Sequence, residues 1–208
     1  MSNKQKSLHY ALIIIVLTIT DITLFSKNQS LSEEIIIKDQ IITEQAQLLQ
    51  LTDDLKLNLK ANYIYGQNDL AKVMVTDSIG SKHYISDIIN GPCLIFHYDL
   101  NNCKECISFA ANKLSKINNI DIPIIIIISG ISDYNKRYLY SDTYYIGVPI
   151  YTIDTALLCN IDINTPYYCI TDHNNTIRNI FIPNKLFPQN TDSFISIAEQ
   201  IIQSKSQP

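Results

Sequence analysis

The chain has 208 residues, of which 46% are hydrophobic and 17% charged, and a formal net charge of −4. That balance excludes a disordered chain, which stays unfolded through low hydrophobicity and high net charge. Asp and Glu outnumber Lys and Arg, 20 against 16, which excludes a basic nucleic-acid footprint. Five cysteines spread over this length exclude a disulfide-dense mini-scaffold, and an odd number leaves at least one thiol unpaired within the chain.

The N-terminus places Lys4 and Lys6 before an apolar run from Leu8 to Thr20, which Asp21 interrupts and Ile22 to Phe25 resume. Counted through Phe25, the run reaches the length that spans a bilayer, with Asp21 near its outer end, where a charge reaches the interface. No Ala-x-Ala-like cleavage site and no lipobox cysteine come after it. Residues 1–30 are therefore expected to be a cytoplasmic tip and an uncleaved inner-membrane anchor, with a cleaved signal peptide as the alternative. The two lysines put the N-terminus inside and the rest of the chain outside the cytoplasm.

Residues 31–65 contain neither Gly nor Pro and read as a helical stalk that Ser32 caps. Ile41, Leu48 and Leu55 recur every seven residues, and Ile37 and Leu51 take complementary positions, while Glu44 and Asn58 interrupt the repeat. Two readings stay open: a weak homodimeric coiled coil, or a stalk that only holds the C-terminal domain off the membrane.

A domain is expected over residues 70–208. "KVMVTD" is a short strand, "SIGSK" a turn, and "YISDIIN" a turn of helix ended by Gly91-Pro92. "CLIFHYDL" is a continuous apolar run of strand length, the mark of a strand buried on both faces. "CKECISFAANKLSKI" is a helix with Ile107, Ala110, Ala111, Leu114 and Ile117 along one face. "IPIIIIIS" and "VPIYTI" are two further strands, separated by the loop and short helix of "SDYNKRYLYS". "TPYYCITD" and "TIRNIFI" form a hairpin about "HNN", and a final helix over "NTDSFISIAEQIIQSK" starts at a cap on Asn190 or Thr191. Early alternation argues for parallel strands with right-handed crossovers, and the late hairpin for an antiparallel edge. The fold class is a mixed α/β sheet with helices on both faces.

Three stretches carry a resemblance. "LIFHYDLNNCKEC" leads a buried strand into C-x-x-C at a helix start, "VTDSIGSKHYISDIINGPCLIF" precedes it, and "NTPYYCITDHNNTIRNIF" places Thr-Pro before a hairpin. Together they resemble the thioredoxin-like superfamily, in particular the membrane-anchored redoxins of bacterial cell envelopes, of the TlpA and peroxiredoxin branch. The resemblance covers roughly residues 73–204. It departs from the family in having no Trp before Cys103 and Lys104-Glu105 between the cysteines.

A dithiol oxidoreductase needs one thiol ionised near neutral pH and a second close enough to attack the mixed disulfide. The start of a helix offers unpaired N–H groups and a positive dipole end, which favour a thiolate. Cys103 is then the nucleophile and Cys106 the resolving thiol, with Lys104 favouring and Glu105 opposing ionisation. A structural zinc site takes four ligands, and no second C-x-x-C exists, while His97 and His173 lack ligand spacing to the pair, so neither metal nor other cofactor is expected. The resemblance implies that Thr165 and Pro166 bind substrate, with Pro166 cis and facing the dithiol. Read alone, Pro166 is an ordinary trans proline opening a strand. His97, six residues before Cys103, has two readings, proton handling for Cys106 or a hydrogen-bonded core histidine. Cys93 and Cys169 read as small core residues, and a Cys159–Cys169 bridge is an alternative. Tyr144 and Tyr145 read as packing or surface residues, or as the wall of a partner groove.

The function these observations favour is a membrane-anchored thiol–disulfide oxidoreductase acting on the thiols or disulfides of partner proteins. The alternative is a catalytically silent thioredoxin-fold binding module on a stalk, which the missing Trp and Lys-Glu spacer favour.

Overall fold

The structure, a computed structural model, describes residues 3–117, 122–130, 147–154, 157 and 165–205. Cys159, the 133–146 loop, Tyr144 and Tyr145 lie outside the described residues. The chain forms two compact units, residues 1–51 and 52–208.

The first unit is helical. Helix α1 (Asn3–Tyr65) runs for 63 residues without a break, so Ser32 caps nothing: with no Gly or Pro, no residue here interrupts the i→i−4 ladder. By length and composition its apolar part is enough to cross a membrane. Its polar side chains suit that setting. Thr18 Oγ1 donates to the Ile14 and Ile15 carbonyls (3.1 and 2.9 Å) and Thr23 Oγ1 to Thr20 (2.8 Å), so these hydroxyls are satisfied within the helix. Further along, Glu34 and Lys38 pair one turn apart (2.6 Å), and the heptad residues Ile37, Ile41 and Leu48 stand exposed.

The second unit begins at Thr52, earlier than the 70 expected, because the end of α1 is bonded to a sheet. That sheet has seven strands: β1 (Met74–Thr76), β2 (Lys82–Tyr84), β3 (Cys93–Asp99), β4 (Ile124–Ser129), β5 (Ile150–Thr152), β6 (Tyr167–Thr171) and β7 (Ile177–Phe181), in the order β2-β1-β5-β4-β3-β6-β7. β3 pairs parallel with β4, and β4 with β5, while β6 runs antiparallel to β3 and β7 to β6. Strand–helix–strand followed by hairpin–helix, with β3 between β4 and β6, is the arrangement the thioredoxin-like resemblance implies. β2 is a strand where the sequence predicts only a turn.

Helices cover both faces. Side chains alternate across a strand, so Cys93 and Ile95 face one way, with the α1 end and α2 (Ile85–Ile88), and Leu94, Phe96 and Tyr98 the other, with α3 (Lys104–Ser115) and α4 (Pro188–Lys205). On the α3 side, Tyr168 Oη donates to the Ala110 carbonyl (2.7 Å) and Lys113 pairs with Asp192 (2.6 Å), which ties α3 to β6 and α4. α4 starts earlier than predicted because Pro188 takes the first helical turn, where a missing N–H costs nothing, and Thr191 is buried inside the helix rather than capping it.

The end of α1 closes the β7 edge. Asn62 accepts from Ile180 N (2.7 Å) and donates to Ile180 O (2.6 Å), and Asn58 accepts from Ile182 N (2.7 Å). Two asparagines thus stand in for a neighbouring strand at an edge that would otherwise present free N–H and C=O groups. Gly66 ends the helix, since a Cβ there would lie 2.4 Å from the Asn62 carbonyl oxygen.

Asn62→Ala leaves both Ile180 backbone groups without protein partners. Chemical denaturation is expected to show a loss of about 1–3 kcal/mol, whereas Leu48→Ala, on the exposed stretch of α1, is expected to leave the midpoint unchanged.

Candidate active site

The site is built from the end of β3. Asp99 accepts from the N–H and the Nδ2 of Asn101 (2.8 and 2.9 Å) and from Ser129 Oγ (2.8 Å), while Asn102 Oδ1 accepts from the Asp99 N–H (2.8 Å). Burial raises the Asp99 pKa, but the hydrogen bonds from Asn101 and Ser129 outweigh it and hold the carboxyl below its usual range. Gly130, at φ +75°, lets the carboxylate in: a Cβ there would lie 2.7 Å from Asp99 Oδ1. The loop turns the chain from the sheet into α3 and sets Cys103 at the N-cap.

There Cys103 Sγ accepts from Cys106 N–H at 3.3 Å. Cys103 is exposed and Cys106 half-buried one turn inside the helix, and both are free thiols. The Cys103 pKa is lowered, first by a hydrogen bond from the Cys106 thiol, then by the Cys106 and Glu105 N–H groups and by the Lys185 ammonium. The Cys106 pKa is raised to about 11, first by burial and then by its bond to, and the charge of, the Cys103 thiolate. The exposed thiol is thus the more readily ionised of the two, and the half-buried one holds its proton.

Lys185 is the residue the sequence reading misses. Its Nζ lies 2.5 Å from Glu105 Oε2, and its charge acts on both thiols. The cation acting on both thiols is supplied by the loop between β7 and α4, and nothing in the local sequence of that loop signals it.

The other expected residues divide. Thr165 and Pro166 reach the right end of the sheet: the β3–β6 ladder ends at the His97–Tyr167 pair, one residue short of Pro166, just where β3 leaves for the cysteine loop. Pro166 is buried, and Thr165 Oγ1 is buried without a partner among the described residues. The Thr165–Pro166 peptide is trans, not cis as the resemblance implies. The trans isomer is the intrinsically favoured one, and Pro166 precedes the ladder where no N–H is required of it.

His97 does not join the thiols. It shares its face of β3 with Cys93 and Ile95, opposite the face α3 covers, and stacks on Tyr167 with ring centroids 4.7 Å apart. Burial pushes its pKa down to about 4, with the Asp99 charge opposing, and neither ring nitrogen has a hydrogen-bond partner among the described residues. It is thus a core histidine, though not a hydrogen-bonded one. Cys93 and Cys169 are buried free thiols, the first with its pKa pushed up to about 12 by burial, and the proposed partner Cys159 lies outside the described residues. Among the described residues no three His, Cys, Asp or Glu side chains gather as a metal would require.

No protein-family model and no curated protein matches the chain. Solved structures do. A putative electron transport protein from Aquifex aeolicus aligns at 10% identity over 68% of this chain and 99% of its own, with a TM-score of 0.49. A peroxidoxin from Mycobacterium tuberculosis aligns at 10% identity over 66% and 96%, TM-score 0.47. A domain of a possible thiol-disulfide isomerase from Cytophaga hutchinsonii aligns at 18% identity over 63% and 90%, TM-score 0.41. The chain has a thioredoxin-like fold, carried by its strand order and by the helix that bears the two cysteines.

A buried neutral histidine makes stability depend on pH. Below its ordinary pKa of 6.5 the unfolded chain takes up a proton that the folded chain refuses until about 4. Stability is therefore lost as pH falls from 6.5 to 4, by roughly 3 kcal/mol at about 1.4 kcal/mol per pH unit, with no further loss from this group below 4. Denaturation midpoints across that window are expected to flatten in His97→Phe relative to the unaltered protein.

Proposed function

We propose that this protein is a membrane-anchored thiol–disulfide oxidoreductase that acts on partner proteins through Cys103 and Cys106. The observation that carries the reading is the opposed pair: an exposed N-cap thiol with a lowered pKa, hydrogen-bonded by the backbone of a half-buried thiol whose pKa is raised to about 11.

In the reducing direction the Cys103 thiolate attacks one sulfur of a partner disulfide. The partner S–S bond breaks, a Cys103–partner disulfide forms, and the second partner sulfur leaves as a thiolate. Cys106 then loses its proton and attacks Cys103 Sγ, which forms the Cys103–Cys106 disulfide and releases the first partner sulfur. Two electrons pass to the partner, and the two protons of the original dithiol end on its two thiols. Run backwards, the same steps oxidise a partner dithiol, and the reduction potential of the couple sets the direction. Thr165 and Pro166, beyond the ladder at the start of β6, are proposed as the edge on which an extended partner segment rests.

The trans Thr165–Pro166 peptide favours a second reading, a binding module that keeps the scaffold without exchange. The two separate in a trapping experiment. For the oxidoreductase, Cys106→Ser accumulates partner adducts through Cys103 that reductant removes, and Cys103→Ser forms none, on non-reducing gels of membranes. An absence of adducts from Cys106→Ser leaves the binding module.

The proposed setting is the inner membrane, spanned once by the apolar part of α1, with residues 52–208 outside the cytoplasm. Intact mass of the membrane-extracted protein is expected to include residues 8–25. A product beginning between residues 21 and 31 means instead a cleaved leader and a released domain.

A further inference from the structure

We propose that Lys185 is a positioning residue of the dithiol, held by the β7–α4 loop so that its ammonium neutralises Glu105 inside the C-x-x-C and lies beside both thiols. The inference deepens the exchange reading and takes its purpose from it, but its test does not depend on exchange.

Glu105 sits in the first turn of α3, where the helix dipole welcomes a carboxylate. That same carboxylate stands between two thiols, and its negative charge raises the pKa of Cys106. Lys185 resolves the conflict from a distant part of the chain. Its Nζ is 2.5 Å from Glu105 Oε2. The charged and titratable groups acting on Cys103 are Cys106 from α3 and Lys185 from the β7–α4 loop, and on Cys106 they are Cys103, Lys185 and Glu105.

The loop is built to present this side chain. Asn184 Oδ1 accepts from the Leu186 N–H (2.8 Å), a local turn that spans Lys185, and Asn184 Nδ2 donates to the Asp54 carboxylate near the end of α1. Lys185 is thus flanked by a residue clamped to another element, while its own side chain stays half in water. A lysine serving only surface solubility needs neither the clamp nor the partner in the active-site turn.

The pH dependence of Cys103 alkylation in the reduced, full-length, detergent-solubilised protein reads the role directly. Iodoacetamide is the probe, and the mass of the Cys103 peptide is the readout. Lys185→Met is expected to move the midpoint up by about half a pH unit and to slow alkylation at neutral pH about threefold, the size of effect an exposed ion pair exerts in water. Glu105→Gln is expected to move the midpoint down, the double variant to return it near the unaltered value, and Lys185→Arg to retain it. The Lys185→Met shift should shrink in high salt, as screening requires. An unchanged midpoint in Lys185→Met, or single variants that shift in the same direction, overturns the proposal. An unchanged midpoint with Cys106→Ser still trapping partners removes the role of Lys185 and leaves exchange standing. The expected opposed shifts without trapping keep the role of Lys185 and remove exchange.

Discussion

The site depends on how β3 is ended, and one carboxylate ends it. Asp99 takes the last position of the strand and gathers donors from Asn101 and from Ser129 at the end of the neighbouring strand β4. Those bonds hold the tips of two parallel strands together at the sheet's carboxyl end, and Gly130 leaves the space in which the carboxylate sits. The return bond from the Asp99 N–H to Asn102 folds the loop back on itself. Only then does Cys103 fall at the N-cap, with its sulfur where the Cys106 N–H can donate. N-cap contacts contribute about 1 kcal/mol to a helix, and here the same contact also favours a thiolate, so stability and reactivity draw on one arrangement.

The two thiols share a helix turn yet are pushed in opposite directions, and the causes explain how the second could become useful. Cys106 is held protonated by burial, by its hydrogen bond to the Cys103 thiolate and by the negative charge of that thiolate. The last two causes vanish once Cys103 is bonded to a partner sulfur, since a disulfide sulfur carries no charge. Cys106 is therefore held protonated while Cys103 is free and would be eased once Cys103 carries no charge. No base from the core is required for this. His97, the nearest sequence candidate, is separated by the alternation of β3: a six-residue offset before Cys103 looks suggestive on paper, but odd-numbered residues of this strand face the side that α3 does not cover.

Legibility in the sequence tracks the range of the interactions. The unbroken run of β3, the helical face of α3 and the β6–β7 hairpin are local patterns, and they stand as predicted. The cysteine pair is legible because its geometry is set by two residues and a helix start. Lys185 and Glu105 are 80 residues apart, and no spacing rule links them. The trans Thr165–Pro166 peptide departs from an expectation that came from the family and not from the residues, for which a strand-opening trans proline is the local reading. The compact unit begins at Thr52 rather than at 70 for a related reason. Residues 52–65 look like more stalk because they are helical and free of Gly and Pro, and Asn58 looks like a break in a heptad. Asn58 interrupts the repeat, and its side-chain amide is bonded to the chain just past β7.

The end of α1 is linked to the cysteine turn through the β7 edge. Asn58 and Asn62 close the edge strand β7 with side-chain amides, each taking a backbone N–H that water or a foreign strand would otherwise claim. A few residues on, where the chain leaves β7 for α4, Asp54 of the same helix grips Asn184. The next residue is Lys185, which reaches Glu105 between the two cysteines. Helix end, sheet edge, loop and dithiol are thus successive links of one hydrogen-bonded path within residues 52–208. The helix end is accordingly part of the same compact unit as the sheet. A chain cut at residue 70, where the sequence alone starts the domain, would lose the cover of β7 and the anchor of the loop that carries the ammonium, while its cysteines remained in place.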